Sequence, residues 1–113
     1  MSKYIYLIFL ILFFNNAIAA TGVANNFEVD YVRVDSSGKG YVEFKSDLLA
    51  EPATCMQLNY SKSLAFDTNT AGGKSILSVV LMAKASGKLI YARGTGLCGV
   101  YGVMEDWSWG SIQ

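Results

Sequence analysis

Tyr4 to Phe14 is an unbroken apolar run of 11 residues, preceded by Lys3 and followed by Asn15, Asn16 and the small stretch Ala17-Ile18-Ala19. A helix that crosses a bilayer needs about 20 apolar residues. The run has instead the length of a signal-peptide core, and Ala17 and Ala19 fit the small-residue cleavage signature. Residues 1–19 therefore read as an export signal cut after Ala19, with Ala20 as the alternative point. The competing reading is an uncleaved anchor, and no basic cluster follows the run to stop transfer. The folding unit is then a single domain, residues 20–113, in a compartment that permits disulfides.

Removing the signal changes what the composition means. The whole chain is 52% hydrophobic, but the remaining 94 residues hold 44 apolar side chains, the proportion of an ordinary soluble domain. Eight basic and nine acidic groups leave it near neutral. That balance gives no basic footprint for nucleic acid. The sequence contains no histidine, so a usual zinc site or a histidine-based triad is excluded. No metal, no cofactor and no stable membrane insertion after cleavage are expected.

A domain of this size buries only a modest core, so a crosslink adds usefully to its stability. Cys55 and Cys98 are the only cysteines. An even pair in an exported chain predicts one disulfide between them, worth about 4 kcal/mol in the chain-entropy account. No Cys-x-x-Cys spacing marks a redox pair.

Along the domain, Thr21–Asn26 is a small polar lead-in. Phe27–Val34 alternates apolar with charged residues and is rich in β-branched and aromatic types, which predicts a strand. Its apolar parity shifts near Tyr31, the mark of a bulge or strong bend. Asp35–Gly40 is turn chemistry, and Tyr41–Lys45 completes a hairpin. Cys55–Leu58 is a candidate short strand, and Ser63–Asp67 another. Thr68 and Thr70 are N-cap candidates. Apolar residues then recur at helical spacing to Ala85, and Gly87 marks the stop, which predicts a helix over about 71–86. Lys88–Arg93 reads as a strand, Gly94, Gly96, Gly99 and Gly102 crowd around Cys98 as turns, and Glu105–Ile112 closes the chain as a strand with Trp107 and Trp109 on one face. The fold class is mainly β: a small five-stranded barrel or strongly bent sheet with one helix between strands 3 and 4.

On a helical wheel Lys74, Ser75, Ser78 and Ala85 fall within about 100° of one another, opposite Ile76, Val79, Val80 and Ala83. Leu77, Leu81 and Met82 flank the polar sector. The apolar surface exceeds what one core contact uses, which suits packing against another subunit through helix 71–86; it also suits a wide core face in a monomer.

Several short motifs lead nowhere. Gly72-Gly73-Lys74-Ser75 resembles the tail of a phosphate loop, but Thr68 stands where the motif requires glycine. Ser36-Ser37-Gly38-Lys39 has the spacing of a serine activated by lysine but lies in a turn, whereas that motif opens a helix. Gly94-Thr95-Gly96 is a fragment of a dinucleotide fingerprint without its helix. Glu105 and Asp106 are adjacent in a strand, so they point to opposite faces and cannot flank one bond. Asn59-Tyr60-Ser61 is a formal glycosylation sequon. No catalytic residue is expected, and the domain reads as a non-enzyme. Tyr and Trp supply a stacking face with a polar tip, suited to saccharide or protein recognition. Tyr101, Trp107 and Trp109 are the ligand-contact candidates.

Phe66–Lys74, Ala83–Lys88, Gly94–Cys98 and Glu105-Asp106-Trp107 resemble a group of small secreted bacterial proteins of mostly unknown function, over about residues 27–112. More distantly the chain is similar to the OB-fold binding subunits of pentameric toxins, of the subtilase cytotoxin type. The resemblance implies a five-stranded OB barrel, a ring of copies with the helix at its centre, and glycan binding on the barrel's side. No sugar-contacting residue of those toxins matches a position here. The functional expectation is a secreted or periplasmic module that binds a glycan or a partner protein as an oligomer. The alternative is a structural or interaction protein of the envelope without a carbohydrate site.

Overall fold

The computed structural model describes residues 21–113. The expected export signal over residues 1–19 and its expected cleavage point lie outside the described residues. The elements run β1 (Gly22–Phe27), β2 (Val29–Val34), β3 (Lys39–Phe44), β4 (Leu49–Ala50), β5 (Ser63–Asp67), α1 (Ala71–Ser86), β6 (Ile90–Gly94) and β7 (Trp107–Ile112). They form a four-stranded sheet in the order β4-β1-β6-β7 and a three-stranded sheet in the order β2-β3-β5. Every paired strand is antiparallel. One parallel bridge, Ala65 to Asp106, ties the two sheets together.

This corrects the expected barrel in two respects. The strands make two sheets rather than a closed barrel, and α1 follows the fifth strand rather than lying between the third and fourth. The cause is at the start of the domain. The lead-in Thr21–Asn26 is itself a strand, because Gly22, Val23 and Ala24 are buried and β1 pairs with β6 and β4. Asn26 has a positive φ of 56°, a conformation asparagine tolerates better than most residues, and the register against β6 shifts between Ala24 and Phe27. The strand expected from Phe27 therefore breaks at Glu28, and β2 joins the other sheet. The two-residue β4 adds one more to the count.

The hairpin follows the sequence reading. β2 and β3 pair with a register shift between Val29 and Tyr31, which leaves Asp30 as the extra residue of a bulge. Asp35 N–H donates to the Lys39 carbonyl at 2.7 Å, and Gly38 takes φ 89° in the turn. Cys55–Leu58, by contrast, is not a strand. Its backbone is used in turn bonds, Met56 to Ala53 and Tyr60 to Gln57, and Leu58–Tyr60 is a 3-10 turn.

The main core lies between the sheets and α1, where Val29, Val42, Phe44, Leu64, Phe66, Val80, Ile90, Ala92 and Trp107 are buried together. α1 spans residues 71–86 as its spacing predicts. Thr70 is the N-cap, its hydroxyl accepting from the Gly73 N–H at 2.9 Å, and Gly87 ends the helix at φ 71°. Val80 and Ala83 are buried, and Ile76, Leu77 and Val79 pack against the core. Leu81 and Met82 stay exposed at 50% and 64%. No helix among the described residues is long and apolar enough to cross a membrane.

The two glycines that open α1 make opposite predictions. A Cβ on Gly73 would lie 1.7 Å from the Asp67 carbonyl oxygen, a backbone atom with nowhere to go, whereas one on Gly72 meets nothing within 4 Å. Gly72→Ala should raise stability by about 0.5–1 kcal/mol, since alanine is the better helix former. Gly73→Ala should lower it by about 2 kcal/mol or more through backbone displacement. Urea unfolding midpoints check both signs, and equal shifts would contradict the packing described.

Candidate functional site

Direct cross-strand neighbours point to the same face, so the hairpin register fixes what the three-stranded sheet shows to the outside. Arg33, Tyr41 and Ala65 form one row; Tyr31, Glu43 and Ser63 form the next. A loop following β6 folds back over this face. Tyr41, Ala65 and Met104 are buried together there, with Tyr60, Val100, Tyr101 and Val103 packed around them. Tyr41 is the hub. The rings of Tyr31, Tyr60 and Tyr101 meet it edge-on at centroid distances of 6.0, 6.3 and 6.1 Å, a favoured aromatic geometry. The Arg33 guanidinium sits 5.7 Å from the Tyr41 centroid, within cation–π range.

A polar network fixes the rim. Arg33 donates from Nε to Asp35 at 2.8 Å, and the Tyr101 hydroxyl donates to the other Asp35 oxygen. The Tyr101 bond and then Arg33 hold the Asp35 carboxyl below the usual carboxylate range. The Tyr31 phenol is pushed up first by its hydrogen bond to Tyr41, then by burial and by Glu43. Tyr101 is pushed up by burial and then by Asp35. A depressed carboxyl stabilises the fold above its unfolded value, about 4, and loses that contribution as pH falls through the folded value. Raised phenols stabilise it below about 10 and lose the contribution as pH rises through the folded values. An alkaline spectrophotometric titration should therefore show Tyr31 and Tyr101 ionising above the ordinary phenol range, and Tyr101→Phe should remove one of these two late steps. Uniform titration near the ordinary value would contradict the network.

The loop is held from beneath by Glu105, which in the sequence alone stands only as half of an acid pair. Glu105 is wholly buried. Its carboxylate accepts from the N–H of Gly22 at 2.9 and 3.1 Å, of Ala53 at 2.6 Å and of Gly96 at 3.1 Å. Three distant segments thus meet on one side chain. Asp106 ties the loop itself, accepting from Gly99 and Val100 at 2.8 and 3.1 Å. The Cys55–Cys98 disulfide forms as expected, with a Cα separation of 6.2 Å.

Beside the tyrosines lies an open cleft of about 500 Å³. Asp30, Glu43, Lys45, Asn59 and Lys62 line it, with Leu58 at its lip. Lys45 is paired with Glu28 at 3.1 Å. Among the described residues no group of three or more potential metal ligands occurs.

The three predicted contact residues scatter. Tyr101 belongs to the tyrosine face. Trp107 and Trp109 do not share a face, because Ser108 is an extra residue opposite the Arg93–Gly94 step and the bulge turns the two indoles apart. Trp107 is 7% exposed and part of the core, whereas Trp109 is 51% exposed. Trp109 packs on Tyr91 at 5.6 Å and lies opposite Arg93 on the other sheet. Tyr31, Tyr41, Tyr60, Arg33 and Glu43 were missed as a group. Their signal was the alternation of Tyr31 with Arg33 and of Tyr41 with Glu43 on two strands joined by a tight turn. Comparison of the chain with family models, with curated proteins and with solved structures finds no match.

Proposed function

We propose that this chain is an exported, non-enzymatic binding module on a frame of two antiparallel sheets and one helix, and that it recognises glycans through the outer face of its three-stranded sheet. The observation that carries this reading is the tyrosine group beside the open cleft: the accessible rings of Tyr31, Tyr60 and Tyr101 packed on buried Tyr41 and rimmed by Arg33, Asp35 and Glu43. Aromatic faces next to carboxylates and amides are the chemistry that stacks on a sugar ring and bonds its hydroxyls. The disulfide supports export.

Assembly into an oligomer through α1 extends the proposal. The hydroxyls of Ser75, Ser78 and Ser86 each bond back to a carbonyl four residues earlier. With those polar groups turned inward, the exposed side offers small residues beside Leu81 and Met82, a surface that a neighbouring copy covers well. A protein partner is a second reading, favoured by the separate Trp109, Tyr91 and Arg93 patch, since those residue types dominate protein hot spots.

Oxidised mature protein on a glycan array tests the first reading. Retention of at least one glycan class is expected, and silence from correctly folded protein would favour the protein partner. Mass by light scattering tests assembly, and a strict monomer at micromolar concentration would remove that part.

A further inference from the structure

The cleft has a charge arrangement that discriminates between sugars. Asp30 and Glu43 bring two carboxylates to it, and neither has a cation within 4.0 Å among the described residues. Of its two lysines, Lys45 is engaged by Glu28. Among the described residues Lys62 is then the one lining ammonium without an acidic partner, and Asn59 contributes an amide. Such a lining holds more acceptors than free cations. An ionised carboxylate accepts hydrogen bonds only, so it matches neighbouring hydroxyls and repels a ligand acid.

We propose that this cleft binds a neutral saccharide, Asp30 and Glu43 accepting from ring hydroxyls while Asn59 and Lys62 donate, and that it rejects sugars carrying a carboxylate; this rests on the glycan-binding reading above. Tyr31 is the cross-strand neighbour of Glu43 and is exposed, so an aromatic ring stands next to the cleft, where the less polar side of a pyranose would sit. The volume, about 500 Å³, is in the range of small-ligand sites. The open shape implies millimolar affinity for a single unit, raised by multivalent presentation.

The test is amide chemical-shift mapping on isotope-labelled, oxidised protein. The probes are lactose, maltose and methyl α-mannopyranoside, with N-acetylneuraminic acid and glucuronic acid as acidic counterparts. At least one neutral sugar should shift the amides of Asp30, Glu43, Asn59 and Lys62, and the acids should not. Glu43→Gln and Asp30→Asn, with spectra otherwise native, should each weaken binding about tenfold, the loss of one charge-assisted bond. Preferential binding of the acids at the cleft would overturn the proposal, as would no shift with any neutral sugar. An array-positive glycan that moves amides around Trp109 and leaves the cleft unmoved overturns the cleft assignment alone. Silence on the array as well overturns the glycan-binding reading with it.

Discussion

Glu105→Gln should lower the unfolding free energy by about 3 kcal/mol, although the side chain keeps its size and its place in the core. The reason is donor count. Both carboxylate oxygens accept backbone N–H bonds, one from Gly22 and Ala53 and the other from Gly22 and Gly96. An amide has one oxygen and one NH₂ group, so either orientation turns a donor against a donor in a site closed to water. For a domain of this length the loss should appear as a fall in melting temperature of about 15 °C. The space is tailored to the carboxylate: a Cβ on Gly94 would lie 1.7 Å from Glu105 Oε2. Gly94→Ala should therefore be destabilising in the same way. A Glu105→Gln protein that melts with the wild type would show that the three segments are held by something else.

Loss of the disulfide should be of similar or greater size. Cys55 and Cys98 are 43 positions apart, and opening so long a loop releases about 4 kcal/mol of chain entropy to the unfolded state. The paired substitution Cys55→Ala with Cys98→Ala should lower the melting temperature by about 20 °C. The local consequence separates this from a general loss of stability. Cys98 begins the segment that carries Tyr101 over the sheet, and the Gln57 N–H donates to the Val103 carbonyl at 2.9 Å beside the crosslink. Below its melting point the double variant should therefore titrate Tyr101 closer to the ordinary phenol range, its bond to Asp35 being made less of the time. An unchanged melting temperature on reduction would contradict the role given to the crosslink.

Much of the frame was legible in the residues. Ser63–Asp67 and helix 71–86 emerge where expected because their apolar periods are undisturbed, and the bulge in β2 was written in the parity shift near Tyr31. β1 was not legible, because Gly-Val-Ala-Asn-Asn has little strand preference of its own and is made a strand by pairing with β6. The tryptophans were misread for a related reason. One extra residue, Ser108, reverses the facing of everything beyond it, and no local pattern marks that insertion. Glu105 was legible only in part. A glutamate next to an aspartate looks like surface, and only the glycines that stand around it, Gly22, Gly94 and Gly96, carried a trace of the space it needs. The tyrosine face needed the hairpin register, since its members come from β2, β3, a 3-10 turn and a disulfide-pinned loop.

The proposed function places recognition on the outer face of the three-stranded sheet. The most direct measurement compares the affinity of wild type, Tyr31→Ala and Trp109→Ala for whichever glycan the oxidised protein retains. Tyr31 is partly exposed and Trp109 lies on the other sheet, so both variants should fold. Tyr31→Ala should lose about tenfold or more, the worth of one aromatic stacking contact, while Trp109→Ala should bind as wild type. Full affinity in Tyr31→Ala together with loss in Trp109→Ala would contradict that placement.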